Sequence, residues 1–454
     1  MKKSLLLLVW SLIAAPLTFA QTLTLLDTVQ FSFVTNQLGD VGSSDCWGWI
    51  GPDGTDYAII GNYDNVAFVR ASDGAVLDVE VAADQQDGYY HRDMVTYRNY
   101  CYVVAEMTGT REGLMVFDLS PLPDSVRFVG TYTAMGNLVR SHNLDVDTAT
   151  GYLYLESDEF QGPSGVEIID ISDPENPNLV NFISVPATHD IHARNDTLWV
   201  AEGSARAFSV YDVSDKQNPV LLGRVASPSF GYCHNIWPSD DGKFFVTTEE
   251  TPNRTVKIWD ATDMSNIVQR GTYLGANNLA HNVHIQGNLI FISHYTAGVT
   301  VVDFSDPDQP VEIAAYDTYP QNNFGNFFGC WGTFPYTNNN YVYASNFEGT
   351  LFILEWDATA INVDEAAPRG PGLTYPNPFT EVTNIPFGLD ATTPVNISVY
   401  DLQGQHVATL MDRELDAGSY VLPWRPRMEL SGGLYIIRLD AGSASGVRKV
   451  ELLR

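Results

Sequence analysis

From Thr22 onward, short runs of apolar and β-branched residues alternate with Gly, Asn, Asp and Pro. The stretch "AHNVHIQGNLIFISH", Ala280 to His294, shows the local rule. Gly287-Asn288 is a turn pair with apolar flanks on both sides, which predicts a tight antiparallel hairpin. The same unit continues through "GVTVVDF" and "PVEIAAYDT", giving four strand-like runs divided by turn residues. Its opening His-Asn recurs as "SHNLD", "THDIH", "CHNIW" and more loosely "YHRDM", and two copies carry "CWG" instead. The marked positions are 46, 91, 142, 189, 234, 281 and 330, with gaps of 45, 51, 47, 45, 47 and 49 residues. Four short strands at this period predict one propeller blade per unit. A blade cannot bury both faces alone, so seven copies predict a closed ring of seven.

The two ends of the array fit one another. The last unit reaches its third strand, "GTLFILEW", and then runs into "DATAINVDEAAPRGPG" with no fourth. At the other end "LTLLDTVQFSF" resembles the fourth strands "RFVGTYT" and "VLLGRVA". The N-terminal strand is therefore expected to complete the seventh blade, which removes the open sheet edges. Beyond the array, "NISVYDLQGQHVATL", "LDAGSYVLPWRP" and "SGGLYIIRLDAG" alternate again between Gly-rich turns, as in a small β-sandwich. The chain reads as all-β: a seven-bladed β-propeller over 22–358, a linker over 359–372 and a β-sandwich over 373–454.

Composition changes the picture in three places. Lys2 and Lys3 precede "LLLLVWSLIAAPL" and a small-residue site at "TFA", so residues 1–20 read as a signal peptide. No cysteine sits near that site, which argues against a lipoprotein anchor, and no later run is apolar for long enough to span a bilayer. The formal charge of −31, or −33 without the two leader lysines, argues against nucleic acid as a partner. The four cysteines, Cys46, Cys101, Cys233 and Cys330, form no CxxC pair and are too few for a disulfide scaffold. HExxH, GxSxG and a phosphate-binding glycine loop are all missing.

The third strands end alike, in "MVFDLSPLPD", "EIIDISDPENP", "SVYDVSDKQNP", "KIWDATDMSN" and "TVVDFSDPDQP". Asp118, Asp170, Asp212, Asp260 and Asp303 are read as turn residues that turn the chain through side-chain-to-backbone bonds. A calcium loop would need a denser run of oxygen ligands. These endings resemble the LVIVD repeat, and residues 22–358 are similar to the choice-of-anchor B family of secreted bacterial propellers. Arg70 and Glu355 depart from the pattern where the aspartate belongs. After "YPNPF" at 375–379, the C-terminal segment resembles the type A sorting domain of type IX secretion, with a basic end, "VRKVELLR". The resemblance implies a protein handed over by the type IX secretion machinery and then attached to the cell surface or released. It also places Arg448 and Lys449 in recognition by that machinery.

The histidines carry the functional question. Residues equidistant from a hairpin turn face each other, with Cβ atoms about 4.5–5.5 Å apart. Counting from each turn pairs His91 with Glu106, His142 with Glu156, His189 with Glu202, His234 with Glu249 and His281 with His294. These residues are expected to form a ring at the rim of the central channel. Cys46 and Cys330 fall at the same level beside the closure, where a disulfide between them is geometrically plausible. His192 and His284 are expected on the opposite strand face. The aromatics of 322–334 suit either a stacking wall or blade core. Repetition favours a scaffolding role for the His–Glu pairs, whereas carboxylates that orient imidazoles also precede metal ligation or base chemistry. The leading reading is a secreted, surface-attached binding module that holds a protein, glycan or cation on this channel face. A metal-dependent hydrolase or lyase at the channel mouth, with a divalent metal, stands beside it, as does a purely structural envelope protein.

Overall fold

The computed structural model describes residues 22–357 and 379–454, apart from 37–38, 83–89, 110, 134–139, 158–162, 322–324, 381, 390–391, 402–404, 416–417, 428–429 and 443. The expected leader (1–20), the linker (359–372) and the first four residues of "YPNPF" lie outside the described residues.

Six four-stranded antiparallel sheets follow one another along the chain, each running from an inner to an outer strand. Their inner strands are Ser43–Ile50, Arg92–Tyr97, Leu144–Asp147, Ile191–Arg194, Cys233–Pro238 and Val283–Gln286, in blades 1 to 6. The seventh blade takes Cys330–Phe334, Tyr341–Asn346 and Thr350–Asp357, and its outer strand is the N-terminal Thr22–Gln30. That strand pairs from Thr22 opposite Asp357 to Gln30 opposite Thr350, so the ring closes through the chain's own start. Inner strands of successive blades touch in an unbroken circuit, the seventh returning to the first. The architecture is the seven-bladed propeller that the repeat predicts.

Burial follows strand position. Second strands such as Asp56–Asn62 are buried along their whole length, between neighbouring blades. Outer strands such as Val220–Ala226 are exposed at five of seven positions and fully buried at none. The third-strand aspartates behave as turn residues. Oδ1 of Asp118, Asp170, Asp212, Asp260 and Asp303 accepts the N–H two residues on, at 2.8–3.0 Å. In blade 1, Arg70 instead forms a two-pronged pair with Asp73 at 2.7 and 2.9 Å.

The residue after each histidine of the motif locks blade to blade. Asn143 donates from Nδ2 to Asp93 at 2.7 Å, and its Oδ1 accepts from Ile191 N at 3.0 Å, tying blades 2, 3 and 4. Asn235 repeats this between Asp190 (2.9 Å) and Val283 N (3.2 Å), in blades 4, 5 and 6. Asn282 reaches past blade 7 to Asp45 of blade 1, at 3.2 Å. Blade 7 has Gly332 at this level, where a Cβ would lie 1.9 Å from Asp45 Oδ1. Glycine there leaves room for the aspartate that receives Asn282.

The C-terminal residues form a separate core between two sheets. One has four strands, His406–Leu415, Thr393–Asp401, Gly433–Ala441 and Ala444–Leu452, and the other pairs Thr383–Leu389 with Gly418–Trp424. Ile385, Phe387 and Trp424 from the smaller sheet pack with Ile397, Val399, Ile437 and Val450 from the larger. Among the described residues, no helix is long and apolar enough to cross a membrane.

Asn143→Ala leaves the buried Asp93 carboxylate and the Ile191 N–H without these partners. It is expected to lower unfolding stability by about 2–4 kcal/mol, whereas Ser305→Ala in an exposed turn changes it by less than about 0.5 kcal/mol. Denaturant titration of both variants checks the contrast.

Candidate functional site

The inner strands of blades 1, 4, 5, 6 and 7 begin with a bulge, and in blades 4 to 7 it decides where the ring residue points, whereas the blade 2 ladder runs straight through His91 to Glu106. In blade 4, His189 N–H donates to Ala201 O while Ala201 N–H donates to Asp190 O, at 2.9 and 2.8 Å, so two residues face one. His281 and Asn282 share Ser293 in the same way, both at 3.0 Å. The ladders of blades 1, 5 and 7 slip at the equivalent place, between Ser43 and Cys46, Cys233 and Ile236, and Cys330 and Gly332. A bulge adds one residue and turns the following side chains to the other face.

The outcome is a closed ring of six side chains on the propeller axis. His91, His142, His189, His234, His281 and Trp331, from blades 2 to 7, have successive ring centroids 4.2–5.5 Å apart, and Trp331 returns to His91 at 4.3 Å. Trp331 spans the place of blade 1, which contributes no ring. A second layer one turn deeper holds His192, Trp237, His284, Tyr336 and Trp47. Trp47 of blade 1 meets His284 of blade 6 at 5.8 Å although these blades are not neighbours, so this layer plugs the channel. The side chains of His91, His142 and His189 keep 14–18% of their surface in solvent, against 1–2% for His234 and His281. The ring therefore opens to one side only.

Three carboxylates sit among the imidazoles. Glu106 lies between His91 Nδ1 (3.1 Å) and His142 Nδ1 (2.8 Å). Asp190 Oδ1 lies 2.8 Å from His189 Nδ1 and 3.7 Å from His142 Nε2, and its Oδ2 is 3.5 Å from His234 Nδ1. Glu250 faces His234 Nε2 at 3.7 Å and His281 Nε2 at 4.0 Å. One ligand atom from each of His142, His189, Asp190 and His234 lies within 4.8 Å of all the others, and the same holds for His91, Glu106 and His142 and for His234, Glu250 and His281. Nitrogen and carboxylate donors in these numbers suit zinc, manganese or iron.

The expected cross-strand pairs are corrected by the bulges in blades 4 to 6 and, in blade 3, by a register that sets Asn143 and not His142 opposite Glu156. Only His91 meets its partner, Glu106. Glu156 accepts the backbone N–H of His142 at 3.0 Å, while the His142 imidazole turns to Glu106 of the preceding blade. Glu202 faces away from the axis to Arg224, at 2.9 Å, and Glu249 to Lys257, at 2.7 Å, so neither reaches His189 or His234. His294 lies off the ring beneath Gly275, against Tyr273. His192 and His284 line the same channel as the ring, not the opposite face, because the bulge adds a residue between the two levels. The Cys46–Cys330 disulfide is not formed, and all four cysteines are buried free thiols. Cys46 packs with Ala58, Ile60 and Leu351, whereas Cys330 packs with Val299, Val301 and Leu354. The two thiols thus occupy different apolar layers. Of the late aromatics, Trp331 joins the ring, Phe334 packs on Trp47, and Phe327 is exposed beside Tyr295. Residues 322–324 lie outside the described residues. Hairpin counting missed Asp190 and Glu250. Their signals were the Asp in place of Asn in "THD" and the doubled Glu249-Glu250.

Charge in the ring is unevenly shared. Burial pulls His142 down, but Glu106, with Asp190 and Glu156, outweighs it and raises the imidazole to about 10. Burial pushes Asp190 up, yet His234, His189 and His142 hold it well below the usual carboxylate range. Glu106 is lowered in the same way by His91 and His142, against its burial. Burial dominates elsewhere: it lowers His189, lowers His234 well below its ordinary value, takes His281 to about 3 and raises Glu250 to about 7.

Residues 373–452 match the family of secretion system C-terminal sorting domains, and residues 163–184 and 279–318 match the LVIVD repeat. The LVIVD matches cover the outer half of blade 3 and the whole of blade 6. A type IX sorting tail implies export to the outer-membrane surface or the extracellular space. No curated relative matches the chain by sequence. Among solved structures, that of U3-55K is 10% identical over 72% of this chain and 98% of its own, with a TM-score of 0.49. Chaetomium thermophilum Raptor is 10% identical over 75% of this chain, which spans 30% of it, with a TM-score of 0.53. At 10% identity, the likeness to Raptor shows the fold alone.

Acid sensitivity follows from the buried histidines. His281, His284 and His294 titrate at about 3, 3 and 4 because burial disfavours their charged form. An unfolded histidine titrates near 6.5, so below about pH 6.5 the unfolded chain takes up protons that the folded chain refuses. Stability is complete above that pH and is lost as pH falls toward the folded values. His142 and Glu250 have the opposite sign, since their folded values are raised, and their contributions fade as pH climbs through about 10 and about 7. His284→Phe keeps a ring against Trp237 and removes one acid-sensitive group. Its loss of unfolding free energy between pH 7 and pH 4.5 is expected to be smaller than the parent's by about 2 kcal/mol, read from denaturant titrations at both pH values.

Proposed function

We propose that this protein is a surface-displayed binding module whose channel mouth holds a divalent transition-metal ion. His142, His189, Asp190 and His234 are its ligands. The observation that carries the reading is the meeting of three imidazoles and one carboxylate from three blades, with all four donor atoms within 4.8 Å of one another. Glu106 supports it by fixing His142: it accepts from Nδ1 at 2.8 Å and leaves Nε2 turned toward Asp190. Carboxylate–imidazole–metal relays of this kind orient the ring and raise its basicity. In the absence of the ion, the raised basicity of His142 means a proton takes the cation's place, and the metal displaces it.

In this reading the leader over 1–20 is removed at export. The sorting segment 373–454 is the part presented to the secretion machinery, as in choice-of-anchor B propellers, and the linker 359–372 separates it from the propeller of 22–358. Hydrolase or lyase chemistry is the second reading. Its support is the partial exposure of His91, His142 and His189, which leaves the open side of the ring to water or a substrate atom. A protein or glycan ligand would enter from the same side.

Full-length protein prepared without chelators or metal-affinity tags is expected to carry zinc, manganese or iron, at one ion or more per chain, by elemental mass spectrometry. His189→Ala is expected to abolish tight binding. Glu106→Gln, which touches only the orienting contact, weakens it about 10–100-fold. Metal-free wild-type protein after incubation with all three ions would end the proposal.

A further inference from the structure

We infer that the ring holds two metal ions and that His234 bridges them. The second ion is ligated by His234 Nε2, Glu250 and His281 Nε2. This rests on the metal-binding reading above and deepens it. His234 is 1% exposed and has a carboxylate at each end, Asp190 Oδ2 3.5 Å from Nδ1 and Glu250 Oε2 3.7 Å from Nε2. A neutral imidazole has one N–H for two such partners. One end must therefore present a lone pair to a carboxylate oxygen.

His281 repeats the problem more sharply. Its Nδ1 lies 2.6 Å from the carbonyl oxygen of Trp331 and must donate there, since a carbonyl only accepts. Nε2 is then unprotonated. It is buried, has no hydrogen-bond partner among the described residues, and faces Glu250 Oε1 at 4.0 Å. Two acceptors turned toward each other in a buried site repel unless a proton or a cation stands between them, and gaps of 3.7 and 4.0 Å are too long for a shared proton. A backbone carbonyl behind Nδ1 and a free Nε2 in front is also how metal-ligating histidines are held. The Tyr295 hydroxyl donates to the same Glu250 oxygen and fixes the carboxylate.

The separations fit an ion better than a direct bond. Ligand atoms around a tetrahedral ion with bonds of about 2.0–2.1 Å lie about 3.4 Å apart. The gaps of 3.7 and 4.0 Å are longer than hydrogen bonds and close to that spacing after a small inward shift. By contrast, Glu106 touches His91 and His142 at 3.1 and 2.8 Å, which are hydrogen-bond distances. That group is the support of the first centre, not a third one. Two imidazoles and one carboxylate leave coordination positions open for water or an anionic ligand. With both ions in place, His234 binds through both nitrogens and releases its single N–H proton to solvent.

The test is metal loading of the chelator-stripped full chain with Zn(II), and separately with Cu(II), followed by dialysis, elemental analysis and electron paramagnetic resonance. The expected result is two ions per chain, one in His281→Gln, and loss of both tight sites in His234→Ala. Copper loading of the wild type gives a resonance well below that of two isolated ions, because the bridging ring couples their spins, and His281→Gln restores a full one-ion signal. One ion in both wild type and His281→Gln overturns the second centre and leaves the proposed function standing. Two ions with uncoupled resonance, or two retained in His234→Ala, overturn the bridge. No ion in the wild type overturns the proposed function itself. The wild-type stoichiometry and resonance decide these outcomes even where a variant fails to fold.

Discussion

A buried polar side chain at the start of an inner strand has to find its partner on a neighbouring blade, and the rest of the propeller is arranged around that requirement. Asp93, Asn143, Asp190, Asn235, Asn282 and Asp45 are taken out of water near the axis, where an unmatched amide or carboxylate is expensive. Each makes a hydrogen bond across a blade boundary, and Asn282 reaches over Gly332 to do so. Seven sheets with little sequence in common are thereby held in one register. The N-terminal strand then closes the last sheet from the outside.

The same requirement creates the histidine ring. In blades 4, 5 and 6 a bulge aims the Asn or Asp sideways at the next blade and throws the preceding histidine onto the axis. Scaffold and site are therefore adjacent residues of one motif with different tasks: the amide joins blades and the imidazole lines the channel. Repetition explains the first task fully. It does not explain why, among the described residues, carboxylates appear at only three places, Glu106, Asp190 and Glu250, each wedged between imidazoles of different blades. Those acids break the repeat, and the unmatched lone pairs gather around two of them.

Propeller folds recur across unrelated proteins, so the ring, and not the architecture, carries the functional argument. The sorting tail answers a different question, where the molecule goes. The acidic composition, with 55 acidic against 24 basic residues, suits a soluble particle outside the cell and sets a negative field around a site read as cationic. Inside the channel, burial keeps most imidazoles neutral, while His142 alone is driven strongly toward its charged form.

The blade count, the closure by Thr22–Gln30, the aspartate turns and the C-terminal sandwich were all legible in the residues. They depend on alternation and turn chemistry, which act over a few positions. The level of the histidines was legible too, since a period near 47 residues places them at one height. Their partners were not. Side-chain direction in a strand has a period of two, so a single bulged residue sends Glu202 and Glu249 away from His189 and His234 and brings His192 and His284 to the axis. Counting from a hairpin turn cannot see that extra residue. Nor can it see that His142 pairs with Glu106, which lies 36 residues away in another blade. The sequence by itself determined the strands, their number and their order, because those are local properties. Which imidazole faces which carboxylate was decided only when inner strands from different blades met at the axis.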